Sequence, residues 1–282
     1  MQFGIDKLGE WTPDSEFKVE AERARAYAAA TNDPLPQHTS GELAPPVFGV
    51  VPIWQAMGTA ATSVTPAEAL PFVLHGEQDM VFHQPITPGS VLTSRAAPVG
   101  VHVKGSGTTV VTRMETRDES GTLVNEQYSV TFYRGITGGD SAGDTAPAHA
   151  FPEELRGQEP AAVVEQTFDM DQTYRYRDAS GDNVPIHLDD DFAKSVGLPG
   201  IIIHGLCTMA FTSWGAVQDL AGGDPTRLRR LAVRFSKPVL PGQTITTRFW
   251  NAGERDGRTV YAFETTNADG EAVIKDGVAE IG

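Results

Sequence analysis

The chain repeats itself, and the repeat limits its possible folds more than any other feature. Tyr27-Ala-Ala-Ala-Thr-Asn-Asp33 parallels Tyr176-Arg-Asp-Ala-Ser-Gly-Asp182. The match runs on without a gap through Asp33-Pro-Leu-Pro36-Gln-His38 and Asp182-Asn-Val-Pro185-Ile-His187. Further along, residues 79–96 parallel residues 230–249, each with an alternating segment, a proline, a Pro-Gly turn and a second alternating segment. Period-two alternation bounded by Gly and Asp predicts strands over 108–116 and 122–134 in the first half, and over 258–267 and 272–280 in the second. Apolar stretches at 47–62 and 204–219 are the candidate long helices. Each half therefore reads as a loop with a short helix, a long apolar helix, then antiparallel strands. A sheet with one apolar face has to cover it, and a helix laid across that face does so. The class is α+β, built twice.

Between the halves, residues 136–160 are rich in Gly, Ser, Asp, Ala and Pro with little apolar periodicity. Such composition predicts a flexible linker. The expected organisation is an N-terminal domain over 1–135, a linker over 136–160 and a C-terminal domain over 161–282. Lys and Arg total 22 against 37 Asp and Glu, a net charge of −15. That balance argues against nucleic acid and anionic membrane as partners. No run approaches the eighteen or so apolar residues of a membrane span. The start of the chain lacks a basic-then-apolar signal pattern, so a cytoplasmic protein is expected. One cysteine excludes an internal disulfide and any multi-cysteine metal site.

The chemistry concentrates in 180–205. Asp182 and His187 flank Pro185, which cannot sit in a helix interior, and Gly181-Asp182-Asn183 is a turn signal, so both groups belong to one stiff loop. A helix is expected from about Asp190, ending near Gly197. His204-Gly205 then opens the second apolar helix. A carboxylate and an imidazole beside backbone donors can hold a water and move a proton. That suits adding water to an activated double bond, or removing it.

The segment SGDNVPIHLDDDFAKSVGLPGIIIHGLC resembles the hydratase-2 motif of the MaoC-like dehydratases, the R-specific enoyl-CoA hydratases. Its pattern is Gly-Asp-x-Asn-Pro-aliphatic-His followed by an aliphatic-His-Gly run. Gly181, Asp182, Pro185, Ile186, His187, His204 and Gly205 match. The family Asn falls on Val184, with an Asn next door at 183. The resemblance covers nearly the whole chain and is strongest over 174–282. It implies a double hotdog, with two sheets continuous and their helices paired. It also implies reversible hydration of a trans-2-enoyl thioester to the (3R)-3-hydroxyacyl thioester, catalysed by Asp182 and His187 with the Gly205 backbone N–H as oxyanion donor. Cofactors and metals are not needed. The partner is an acyl-CoA or acyl-carrier-protein thioester, and a homodimer is compatible.

The first half keeps Asp33 and His38 but has Phe48-Gly49-Val50-Val51 where the second has Ile203-His204-Gly205. It is similar to the first half of eukaryotic peroxisomal hydratase 2, in which that half is non-catalytic and accommodates the acyl tail. Asp33 and His38 are then remnants, the alternative being a second working site. Substrate contacts are expected from Val184, from His204 at the helix start or facing the thioester, and from the basic cluster Arg229, Arg230, Arg234 and Lys237. Solubilising surface charge is the alternative for that cluster. Cys207 reads as a packing residue, His75 and His83 as structural, and Trp54, Met57 and Trp214 as core or tunnel lining. Two other functions stay open: a non-catalytic acyl-thioester-binding or scaffold subunit, and a hotdog thioesterase. The Asp/Pro/His loop counts against the latter.

Overall fold

The computed structural model describes residues 1–282. In chain order the elements are β1 (Ser15–Lys18), α1 (Ala21–Ala30), α2 (Pro36–Thr39), α3 (Trp54–Ser63), β2 (Val73–Phe82), β3 (Val91–Lys104), β4 (Gly107–Arg117), β5 (Leu123–Arg134) and β6 (Ala142–Gly143). They continue with β7 (Ala162–Thr167), α4 (Gln172–Ser180), α5 (Asp190–Ser195), α6 (Gly205–Leu220), β8 (Leu228–Phe235), β9 (Thr244–Arg255), β10 (Arg258–Asn267) and β11 (Ala272–Ile281). The four strands expected from alternation lie within a residue or so of β4, β5, β10 and β11. No helix is long and apolar enough to cross a membrane.

The chain forms two compact units. The first comprises Met1–Lys18, Pro52–Gln84 and Ser90–Ala148. Its strands pair antiparallel in the order β1-β3-β4-β5-β2, and the short β6 bridges to β3. α3 lies on this sheet, with Ile53, Ala56, Met57 and Ala60 packed on Ala96 of β3 and Met114 of β4. The helix expected over 47–62 is shorter than its apolar pattern. Pro46–Val50 forms a separate 3-10 turn and α3 begins only at Trp54. Pro52 supplies no N–H to a continuous ladder and its ring would collide with the preceding turn, so the helix restarts after it.

The second unit comprises Val19–Val51, Pro85–Gly89 and His149–Gly282, with strand order β8-β11-β10-β9-β7. α6 runs without a break over Gly205–Leu220, a proline-free stretch. Its Leu206, Cys207, Met209, Ala210 and Phe211 are buried, each large side chain contributing roughly 1.5–3 kcal/mol. Phe211 packs on Phe168 with ring centroids 4.3 Å apart. β7 passes close over the helix at Gly215, where a methyl would sit 3.1 Å from Val164. The Gln166 amide there donates to the Phe211 carbonyl at 2.7 Å. Within 149–160, Phe151 and Leu155 bury against Ala262 and Trp250, and the Phe151 N–H donates to Asp276. A five-stranded antiparallel sheet around one central helix, built twice, is the hotdog arrangement in α+β form.

Val19–Val51, which carries Asp33 and His38, folds with the second unit. Both copies of the repeated loop therefore stand in one body with α6.

Candidate active site

α4 ends at Gly181, whose φ of +87° closes the last turn through an N–H bond to the Arg177 carbonyl. Glycine takes that left-handed backbone without a Cβ penalty. The chain then folds on itself: the Asp182 N–H donates to Ser180 Oγ at 3.1 Å, and the Val184 N–H donates to Asp182 Oδ1 at 3.1 Å. Pro185 opens a 3-10 turn over Pro185–His187, its fixed φ suiting that first position. Asp189 caps α5 by accepting from the Phe192 N–H, and Gly197 follows the helix at φ +86°. The turn at 181–183, the Pro185 loop and a helix from about Asp190 to near Gly197 are as the sequence predicts.

A second strand of chain completes the site. The Ile202 N–H donates to the Ile186 carbonyl, holding 200–204 against the loop. The Ile202 carbonyl faces His187 Nδ1 at 2.8 Å. A carbonyl only accepts, so Nδ1 carries the proton and Nε2 keeps its lone pair. His204 is set in the opposite sense. Its Nε2 lies 3.2 Å from the Asp182 backbone carbonyl, so Nε2 carries the proton. Its Nδ1 is buried without a hydrogen-bond partner. The two imidazoles stack with centroids 3.8 Å apart and planes inclined by 24°. Tyr176 packs on the other neighbour of this column, 4.9 Å from the His204 ring, and its hydroxyl meets that of Tyr27 at 3.2 Å.

Asp182, His187 and His204 are all buried, and one ligand-capable atom from each lies within 4.8 Å of the others. A transition-metal ion could use the same three groups. Burial pushes the Asp182 carboxyl up to about 6, against the pull of the Val184 N–H. The same cause pushes His187 down to about 4, and the neighbouring His187 helps push His204 down to about 2. At neutral pH the site is one carboxylate beside two neutral rings, a cluster of acceptors.

Gly205 is the first residue of α6, with His204 as its cap. Its N–H has no carbonyl four residues back within the helix, and the positive end of the dipole lies there. A methyl at this position would sit 3.2 Å from the Phe235 ring. Val184 is 42% exposed, and Asn183 donates its amide to the Gly181 carbonyl at 3.0 Å. The neighbouring asparagine is thus turned back on its own loop.

The basic cluster meets carboxylates. Arg230 is buried against Glu280 at 3.3 Å, Arg234 binds Asp276 at 2.5 Å, and Lys237 lies 3.6 Å from Glu271. Arg229 on β8 reaches the Thr226 carbonyl at 3.5 Å. Cys207 is buried, and burial holds its thiol well above the ordinary range. His75 lies on β2 beside Gln78 and Ser129. Trp214 donates to the Thr31 carbonyl at 3.0 Å.

In the first copy of the loop, Asn32 at φ +50° stands where Gly181 stands in the second. The Leu35 N–H donates to Asp33 Oδ1 at 2.9 Å, as Val184 does to Asp182. There the likeness stops. His38 Nδ1 turns onto Asp33 Oδ2 at 2.6 Å, and both side chains are essentially sealed. Phe48 packs edge-on against Tyr27, as His204 packs on Tyr176, and it carries no ring nitrogen. Sequence reading missed the ring column through Tyr176 and Tyr27, although a tyrosine six residues before the aspartate in both copies was its signal.

Comparison with known proteins places both halves of the chain. The MaoC like domain matches residues 152–272, and the MFE-2 hydratase 2 N-terminal domain matches residues 38–135. A Dictyostelium discoideum protein named "Probable enoyl-CoA hydratase 2" is 32% identical over 210 residues, covering 74% of this chain and 70% of that one. The chain belongs to the MaoC-like dehydratase and hydratase 2 family. Another relative, "3-hydroxyacyl-thioester dehydratase Y" of Mycobacterium tuberculosis, is 33% identical over 216 residues, 74% of this chain and 72% of its own. The crystal structure of a MaoC-like dehydratase from Phytophthora capsici superposes with a TM-score of 0.88 at 27% identity, covering 99% of this chain and 98% of the other. The fold is the double hotdog of this family.

Proposed function

We propose that this MaoC-like protein is a hydro-lyase that reversibly hydrates trans-2-enoyl-CoA to (3R)-3-hydroxyacyl-CoA. One observation carries the reading: a buried carboxylate pushed up to about 6 stands beside an imidazole whose proton is pinned on Nδ1 by Ile202, leaving Nε2 as an acceptor. In this mechanism Asp182 and His187 bind the water between them. As the water oxygen attacks the β-carbon, one O–H proton passes to the pair. The electrons of the double bond move to the thioester oxygen, and the Gly205 N–H stabilises that developing charge. The enolate then collapses as the pair returns the proton to the α-carbon, so one water is added and the enzyme is regenerated. General acid–base catalysis of this kind contributes roughly 10²- to 10⁴-fold, and preorganised oxyanion donors contribute a comparable share or more. No step requires a metal or organic cofactor.

The thioester carrier is CoA or an acyl carrier protein, in a cytoplasmic setting, and a homodimer is compatible. The N-terminal domain is assigned to accommodate the acyl tail, and Arg229, Arg234, Lys237 and Val184 to contact the substrate, whereas Arg230 is buried against Glu280. A second reading, a non-catalytic acyl-thioester-binding subunit, draws support from Val184, which offers the site no polar atom. Mixing purified protein with crotonyl-CoA and longer enoyl-CoA thioesters decides the matter. Loss of enoyl absorbance with (3R) product supports the hydratase. No loss at any chain length rejects it, and release of free thiol instead indicates a thioesterase.

A further inference from the structure

Water brings two hydrogens to the site, and the reaction spends only one. The other stays on oxygen and becomes the hydroxyl hydrogen of the product. It needs an acceptor throughout, because a buried donor left without one keeps the penalty of losing its water. Asp182 and His187 share the hydrogen that moves, and Asp182 Oδ1 already accepts the Val184 N–H, so a third acceptor would fix the water in one orientation. Neither loop position next to them supplies another acceptor: Val184 is apolar, and Asn183 is turned to Gly181.

His204 has what is required. Its Nε2–H is spent on the Asp182 carbonyl, which fixes the tautomer. Nδ1 is therefore a lone pair, buried and without a partner, on a ring stacked 3.8 Å from that of His187. An orphaned buried acceptor is a standing cost unless something donates to it. We propose that His204 is a third catalytic residue whose Nδ1 accepts the retained hydrogen of the water, and equally the hydroxyl hydrogen of the 3-hydroxyacyl product. The step balances: one hydrogen travels through Asp182 and His187 to the α-carbon, the other stays on the oxygen that bonds to the β-carbon, and His204 is neither protonated nor consumed. The first copy of the loop fits this division, since Phe48 occupies the corresponding place against Tyr27 and cannot accept.

The proposal rests on the hydratase reading, and its test separates the two. His204→Phe keeps a ring in the stack and removes the acceptor, whereas His204→Asn keeps an amide oxygen near the position of Nδ1. With the enoyl-CoA that the wild type turns over best, kcat should fall about 10- to 100-fold in His204→Phe and recover in part in His204→Asn. The specific readout is ligand preference. Binding of the (3R)-3-hydroxyacyl-CoA relative to the saturated acyl-CoA of equal length should drop about 10-fold or more in His204→Phe, because only the former has the hydroxyl hydrogen. Equal weakening of both ligands means a structural role and overturns the proposal, as does unchanged kcat in a folded His204→Phe. If His204→Phe does not fold, the same preference in His204→Asn decides: it must lie nearer the wild-type value than that of His204→Ala. An inactive wild type would reject the hydratase reading itself.

Discussion

The two Asp–His loops have the same turn, the same proline and the same five-residue spacing, yet they present opposite chemistry. In the first, the imidazole folds onto its own carboxylate at 2.6 Å, and the pair is sealed. In the second, a backbone carbonyl from another segment accepts the hydrogen bond of the Nδ1–H, so the carboxylate and ring stay apart and both keep acceptor capacity. A closed pair is a structural cross-tie. An open pair, held by outside partners, is a site that can take up water. The difference depends on how 199–204 is placed, with the Ile202 carbonyl facing His187, and not on the shared residues.

The largest expected contrast tests that division directly. Asp182→Asn and His187→Ala should each lower turnover by about 10²- to 10⁴-fold, the usual worth of an acid–base group. Asp33→Asn should leave kcat within about twofold and instead lower unfolding free energy by about 1–3 kcal/mol, the cost of disturbing a buried hydrogen-bonded pair. Enzyme assays and urea unfolding on the three variants check this. If Asp33→Asn abolishes activity in a folded protein, the first loop has been misread.

The stability effects should also differ in sign. Asp182 has its carboxyl raised from 3.8 to about 6 by burial, so its ionisation works against the fold. A raised carboxyl favours the folded state below the unfolded value, and that contribution is lost as pH rises through about 6. Asp182→Asn should therefore gain stability relative to the wild type between pH 4 and pH 8, by a few kcal/mol at most. Denaturant unfolding at both pH values reads it; a constant difference would refute the burial argument. Hydration by the wild type should likewise fall as pH drops through about 6, where Asp182 takes up its proton, while His187, pushed down to about 4, stays neutral over that step.

Smaller effects refine the open loop. Val184→Asn, at an exposed position, should change stability by less than about 0.5 kcal/mol. If an orienting group is what the loop lacks, turnover should rise roughly two- to tenfold, one hydrogen bond's worth. Dialysis against EDTA should leave kcat unchanged, although Asp182, His187 and His204 could ligate a metal ion; a loss restored by zinc would replace acid–base chemistry with metal-assisted hydration.

Much of this was legible in the residues. Gly181, Pro185 and Gly197 act locally, and each did what its backbone chemistry dictates. The strand spans followed from alternation, and α6 from an uninterrupted apolar run. What escaped reading depends on partners far along the chain. The pairing of Arg230 with Glu280 spans fifty residues. The tautomer of His187 is set from fifteen residues away by a carbonyl that any residue could supply. The folding of 19–51 with the second unit is a matter of packing, which no local pattern encodes. Pro52 was visible, but the apolar pattern around it masked the break it makes.

The contact between Tyr27 and Tyr176 ties the two copies of the loop together. The tyrosines hold equivalent positions in the two copies, and their hydroxyls meet at 3.2 Å. Both are fully buried, so loss of either hydroxyl strands the other away from water. The two loops can therefore differ in their chemistry while remaining coupled in their stability.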